Sequence, residues 1–436
     1  MLADEKGLKE VFGIKGQAGN LPCISCLNVR NRWVKIASQP DLQRHWDADL
    51  SKRHYATDAH VRAIVHRLSD IAAQPKSDGK VKEVQTRTGI VHYPTGILFD
   101  HHLSEKVLHP TTNYIRDWMH TLCSNGVAGT HIALVCQALA DVGVDVGIVR
   151  MYAHTFTLPK TRNRGRVSDL FFKDELMATD HVRHFAGDVL GMVPLLHAFL
   201  EDKIKDRHVL AGNIECFSLL NAIIAIMRRG SMDRAIHRKL LQCIVQHNTM
   251  FVDLYGNTHA KIKFHHLMHI PDDMLRLGSC LSCFPTERKN KDALAVSVAS
   301  NIDIEKSSII AFLHQTISRW CGNTNLCKSA YLRNGVTMSM PSTSIPMNGS
   351  IVACLPCGDV HAGDMVILVN GQLASIIDFW ESDGTMLVRA SVHNHIRGLQ
   401  FESHPYYEVI DDVAIIVEPV AFYNADGKLI AAIPLH

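Results

Sequence analysis

Apolar residues between positions 58 and 73 recur at helical spacing, with Val61, Ile64, Val65, Leu68 and Ile71 on one face. That period predicts an amphipathic helix ended by Pro75. The next stretch, 77–93, is polar and turn-rich and predicts no regular element. Helical patterning then dominates, over 127–142, 185–204, 209–229, 233–255, 264–277 and 304–321. The segment 333–350, rich in Ser, Pro, Met and Asn and without a period, predicts a linker. Beyond it short β-branched runs alternate with hairpin signals: Asn370-Gly371 after 365–369, Asp383-Gly384 before 386–392, and Asp426-Gly427 before 429–433. This pattern predicts a small antiparallel β-barrel or sandwich.

Composition narrows the class. A chain of 436 residues, 47% hydrophobic, holds two or three folded domains. Its uninterrupted apolar stretches fall short of the roughly 18–20 residues of a membrane helix, so no membrane partner is expected. The start carries Asp4, Glu5 and Lys6 where a secretory signal has a basic patch and an apolar run. An intracellular compartment is therefore expected, which disfavours disulfides for the 12 cysteines. Six of these form C-x-x-C pairs, Cys23/Cys26, Cys280/Cys283 and Cys354/Cys357, a spacing suited to metal ligation. The formal charge of +2 does not announce nucleic acid, so local charge must carry that argument.

The chemistry-bearing residues are dispersed. Gly16, Gly19 and Pro22 precede Cys23-Ile-Ser-Cys26, a loop able to present two thiolates to one ion. Far downstream, His265 and His269 stand i,i+4 on an expected helix, so both imidazoles share a face and complete a Cys2His2 set. The same HHLMH differs from the metalloprotease pattern at His266, where that chemistry needs a glutamate base. Gly13, Gly16 and Gly19 match neither a Walker loop nor a dinucleotide fingerprint. Glu287 opens the stretch Glu-Arg-Lys-Asn-Lys, a carboxylate beside cations that suits a metal-bound phosphate, and Asp4 stands upstream of the first Cys pair. The densest basic loop is Lys160-Thr-Arg162-Asn-Arg164-Gly-Arg166, whose natural role is phosphate contact.

The order acid, Cys pair, helical insertion, His pair, acid resembles the Tnp2-like transposases of the CACTA class, and more distantly the Transib transposases and the V(D)J recombinase. The stretches that carry the resemblance are DEKGLKEVFGIKGQAGNLPCISCLNV, RDWMHTL, KFHHLMHIPDDMLRLG and CFPTERKNK, within roughly residues 1–320. It implies an α/β fold class, a partial ribonuclease-H-like core with a large all-helical insertion, followed by the β module. It also implies that Asp4 is the second catalytic acid and Glu287 the third, that Cys23, Cys26, His265 and His269 hold a structural Zn2+, and that Mg2+ serves catalysis. The family's first acid lies on an opening strand, and this sequence begins almost at the second. DNA cleavage and strand transfer are accordingly expected to be lost, as in an N-terminally truncated or decayed copy of a transposable element. Asp117 falls within the expected insertion and is set aside as a replacement.

The domains expected are 1–56 as a partial nuclease core, 57–262 as the insertion, 263–332 completing the core, 333–350 as linker and 351–436 as the β module. DNA is the expected partner and the nucleus the expected location. Homo-oligomerisation and the ligand of the β module are left open. The alternative function is a non-enzymatic, zinc-stabilised DNA- or protein-binding protein. A hydrolase of unrelated fold would require a compact His/Asp/Glu cluster.

Overall fold

The computed structural model describes residues 2–3, 5–35, 41–159, 180–182, 184–204, 208–229, 232–280, 283, 330–333, 335–339, 346–355, 358–382, 385–402, 405–425 and 428–432. Helix outweighs strand, and the strands gather mainly in a C-terminal antiparallel, curled sheet. The expected helix at 304–321, the basic loop Lys160–Arg166, Asp4 and Glu287 lie outside the described residues.

The N-terminal part builds its own core from Leu8 and Phe12 of the helix Glu5–Phe12, Val61, Val65 and Leu68 of the helix Asp58–Ala72, and Val81 and Val84 of the helix Asp78–Thr88. That last helix falls where the sequence predicts only turns. It buries just two valines on a polar surface, too few to produce a readable period, and Gly89 ends it in the left-handed conformation. A Cβ on Gly89 would lie 2.2 Å from the Leu21 carbonyl oxygen. The loop carrying Cys23 thus packs directly on this helix end, and only glycine permits it.

Four short strands follow in chain order: β1 (Leu2–Ala3), β2 (Val29–Arg30), β3 (Gln43–Arg44) and β4 (Ile115–Arg116). β1 pairs with β4 and β2 with β3, both in parallel, and no other parallel pairing occurs among the described residues. Among the described residues these two-residue contacts do not by themselves show a ribonuclease-H-like core. β4 also corrects the expectation of an all-helical insertion: Asp117 stands between this strand and the helix Trp118–Leu122, which it caps.

The central helices pack as expected, with refined bounds. Ala211–Arg228 is apolar on nearly every side and is buried among its neighbours. Arg234–Tyr255 is amphipathic, burying Leu240, Ile244, His247, Asn248 and Phe251 on one face, and Asp233 caps it through Ala235 and Ile236. The expected helix over 264–277 divides into Ile262–Leu267 and Ile270–Leu277, because Pro271 sits in the first turn of the second piece. Two helical stretches, Trp118–Asp141 and His208–Arg228, are long and apolar enough to cross a membrane; 78% and 61% of their most apolar windows are buried in the fold, as core helices are.

The C-terminal strands are β5 (Tyr331–Leu332), β6 (Val336–Ser339), β7 (Pro346–Ser350), β8 (Val352–Leu355), β9 (Gly358–His361), β10 (Met365–Leu368), β11 (Leu373–Ser382), β12 (Thr385–His393), β13 (His395–Arg397), β14 (Gln400–Glu402), β15 (Tyr406–Ile410), β16 (Ile416–Ala425) and β17 (Lys428–Ala432). The hairpin signals are met: Gly371 takes positive φ between β10 and β11, and the registers Ser382↔Thr385 and Ala425↔Lys428 leave two residues for each of the other turns. The main sheet runs β13-β14-β17-β16-β10-β11-β12-β15, with β7 joining the far half of β11. A register shift between Ile376 and Asp378 lets the two halves of β11 take different neighbours, which curls the sheet.

Two expectations change here. The stretch 333–350, expected as a linker, carries β6 and β7, a pair of strands whose polar residues hide any alternation. The β module also shares a core with the helices: Met365 and Ile367 of β10 face the helical core, while Val366 and Leu368 face the sheet's own. Tyr423 donates to Asp202 at 2.9 Å, Arg228 pairs with Glu418, and Thr157 bridges to Phe422 across the same boundary.

Candidate metal centre

The Cys23–Cys26 loop is held from several sides. The Cys26 amide donates to the Cys23 carbonyl, Leu27 donates to the His54 carbonyl, and Ala56 to the Ser25 carbonyl, so the hairpin-like turn leans on residues 54–56. His265 lies near the end of the helix Ile262–Leu267. His269 follows in right-handed helical conformation just before Pro271, so the i,i+4 relation survives the break between the two helices.

These two elements meet. Cys26 Sγ lies 3.3 Å and Cys23 Sγ 3.6 Å from His269 Nε2, and His265 Nε2 lies 3.1 Å from His269 Nε2. All four residues are buried and their donor atoms fall within 4.8 Å of one another, although Cys23 and His269 are 246 positions apart. For zinc bonds of ~2.3 Å to sulfur and ~2.0–2.1 Å to nitrogen, tetrahedral edges are about 3.3–3.8 Å. The donor set and its spacing therefore fit one ion, compatible with zinc, and four protein donors leave no position for a reacting water.

Electrostatics prepare the site. Burial raises the Cys23 thiol, but the Cys26 hydrogen bond, the two histidines and the Arg116 guanidinium together bring it well below the usual thiol range. Cys26 moves the other way, raised by burial and by its negative neighbour. Burial pushes both His265 and His269 down to about 4, which keeps the imidazoles neutral and able to ligate. Sequence reasoning missed the supporting shell. Arg116 donates through Nη2 to Cys23 Sγ at 3.3 Å and to Ser25 Oγ at 2.8 Å, and pairs through Nη1 with Asp273 Oδ2 at 3.4 Å. Arg116 opens the stretch RDWMHTL, but no local spacing gives it this role, because its partners come from two distant segments.

A second group lies at the end of β4. Asp117 caps the helix Trp118–Leu122 by accepting from the amides of Met119 and His120, and pairs with the His120 ring. Its Oδ1 also accepts from the Cys283 amide at 2.9 Å, which brings the segment four residues ahead of Glu287 against the strand end. Asp117, His120 and Cys283 have donor atoms close enough to share an ion. The other members of the cysteine pairs do not assemble a tetrahedral set among the described residues. Cys280 is a thiol raised by burial, and Cys354 stands beside Tyr331.

Set against known proteins, the chain matches no family model, no curated protein and no solved structure. Fold and site together define a mixed helix-and-strand protein with a buried Cys2His2 cluster that could hold a metal ion.

Proposed function

We propose that this chain is a transposase-derived, DNA-binding nuclear protein whose N-terminal Cys loop is clamped by zinc to the far end of its helical domain. The observation that carries this reading is the convergence of Cys23, Cys26, His265 and His269 in the chain order of the CACTA-class zinc set. A ribonuclease-H-like core is part of the same reading. Its support is the parallel pairing of β1 and β4, whose next residues in sequence are Asp4 and Asp117.

That pairing revises the assignment of acids. In this reading Asp4, which follows Ala3 of β1 in the sequence, is assigned the first position, and Asp117, which follows Arg116 of β4, the second. Glu287 remains the third, close in sequence to Cys283, whose amide bonds Asp117. Asp4, Asp117 and Glu287 would then be the residues to hold two Mg2+ ions, which would supply activation of a nucleophile and stabilisation of the leaving oxygen at a phosphodiester. One observation favours the non-enzymatic alternative: both oxygens of Asp117 already accept hydrogen bonds, from three amides and the His120 ring, and its side chain is 1% exposed.

Two measurements test these readings. Metal analysis of the purified protein is expected to find zinc that is lost in Cys26→Ser. Full retention in that folded variant would remove the clamp. Incubation of supercoiled DNA with Mg2+ or Mn2+ then separates the enzyme from the scaffold. Nicking abolished by Asp117→Asn supports the acid set, whereas DNA binding without nicking in both proteins assigns Asp117 to capping alone.

A further inference from the structure

His131, Cys216 and His247 come from three different helices, Val127–Asp141, Ala211–Arg228 and Arg234–Tyr255, and share no residue with the Cys2His2 cluster. All three are fully buried, and their donor atoms fall within 4.8 Å of one another. The surroundings are aromatic: the His131 ring centroid lies 5.1–5.5 Å from those of Phe217, Phe251 and Tyr255, and His247 stacks at 6.1 Å on Phe264. An apolar core does not need two imidazoles and a thiol, and leaving their polar atoms unsatisfied costs free energy that apolar side chains of similar size avoid.

The hydrogen bonds fix which ring nitrogen is available. Asn248 Nδ2 donates to the Phe264 carbonyl at 3.0 Å, so its Oδ1 is left to accept from His247 Nδ1 at 3.1 Å. His247 therefore carries its proton on Nδ1 and turns a bare Nε2 lone pair toward His131 Nδ1, 3.1 Å away. An imidazole whose outer nitrogen is held by a side-chain carbonyl is the arrangement that orients metal-bound histidines. His131 keeps a buried Nε2 with no hydrogen-bond partner among the described residues, so neither of its tautomers is fully satisfied by them. Cys216 Sγ donates over a long 3.7 Å to the His247 carbonyl.

We propose that His131, Cys216 and His247 form a second, wholly buried metal site, a three-donor set for a soft ion of the Cu+ or Zn2+ type. The donors are His131 Nδ1, His247 Nε2 and the Cys216 sulfur. Two nitrogens bound to one ion lie about 3.3–3.6 Å apart, close to the separation already present. Binding releases the Cys216 thiol proton to solvent, and the His131 proton moves from Nδ1 to Nε2. One thiolate and two neutral imidazoles exactly offset a monovalent charge, whereas a divalent ion leaves one positive charge in an aromatic core. Charge therefore favours Cu+. Because all three donor residues are fully buried among the described residues, the ion enters as the helices assemble, and it is retained against chelators once they have.

The test is metal stoichiometry of the full chain, folded anaerobically under reducing conditions with Zn2+ or Cu+ supplied separately and then passed through a competing chelator. The expected result is one equivalent of soft metal lost in Cys216→Ala, and likewise in His131→Phe, while the metal removed by Cys26→Ser is unaffected by either change. Which ion fills the Cys216 equivalent distinguishes copper from zinc. With Co2+ as probe in a Cys26→Ser protein, a thiolate-to-cobalt charge-transfer band that disappears in Cys216→Ala places the ion on that sulfur. Circular dichroism establishes that each variant is folded; His131→Phe is the second route should Cys216→Ala not fold. An unchanged metal count in either folded variant overturns the site, and does so independently of the zinc clamp.

Discussion

Arg116 Nη2 donates to the Cys23 sulfur at 3.3 Å, joining the strand that precedes Asp117 to the loop that carries the first Cys pair. The guanidinium is buried, with a side-chain exposure of 4%, and its other partners include Ser25 and Asp273, the latter on the helix that follows His269. One cation thus ties the Cys23 loop to the helix that follows His269. After the Cys26 hydrogen bond and the His269 ring, it is a further cause that holds Cys23 well below the usual thiol range despite burial.

A consequence follows for proton release. Cys23, held well below the usual thiol range, gives up less of a proton on zinc binding than Cys26, so fewer than two protons leave per zinc near neutral pH. In Arg116→Leu the Cys23 thiol rises as well, and about two protons leave. Breaking the buried pair costs on the order of 3 kcal/mol in urea unfolding, at the low end for such pairs, because Arg276 remains beside Asp273 at 3.1 Å. Proton release in a weakly buffered zinc titration with a pH indicator checks this. An unchanged proton count in Arg116→Leu, with the protein folded, would show that Arg116 does not set the Cys23 charge.

The parts of this architecture visible in the sequence were those with short-range signatures. The pairs Cys23/Cys26 and His265/His269 announce themselves because ligand spacing on a turn or a helix is local. What joins them is not local, and only an ordered resemblance linked them across 246 positions. The helix Asp78–Thr88 went unseen because two buried valines make no period. The separate β module was misjudged for another reason. Residues of β10 are apolar on both faces, and a run of four buried positions does not reveal that one face meets helices. His131, Cys216 and His247 sit in three apolar helices where each reads as an ordinary core residue, and nothing in the chain says that they meet.

Acid should unfold the metal-free protein steeply. Burial holds His247, His265 and His269 down to about 4, against an ordinary value near 6.5 in the unfolded chain. Between those values the unfolded state binds more protons. The stability contributed by each neutral imidazole is therefore fully present above pH 6.5 and is lost as pH falls toward 4. Each contributes on the order of 3 kcal/mol across that window. Three together are comparable with the whole stability of a typical domain, about 5–15 kcal/mol. The expected outcome is an acid-unfolding midpoint between pH 4 and 6.5, moved downward by His247→Gln and by added zinc. Circular dichroism against pH measures it. A protein that stays folded to pH 3 without metal would show that these rings are not buried in neutral form.

DNA binding is the prediction that reaches furthest from the described residues, since Lys160, Arg162, Arg164 and Arg166 lie outside them. The argument is electrostatic. The chain carries a formal charge of only +2, so any affinity for a polyanion has to come from a local concentration of cations, and this loop places four at alternate positions with no acid among them. Contacts with phosphates release counterions, and each lost contact flattens the dependence of log affinity on log salt by about one unit. Replacing Arg162, Arg164 and Arg166 together by Ala should therefore weaken binding to all DNA sequences alike and reduce the slope by up to ~3 units. An anisotropy titration at several salt concentrations makes the comparison, with both proteins shown to be folded. A loss confined to particular sequences would mean that the loop reads bases. Unchanged affinity and slope would take the loop out of the DNA path, and a parent protein that binds no DNA would favour a protein partner for the same scaffold.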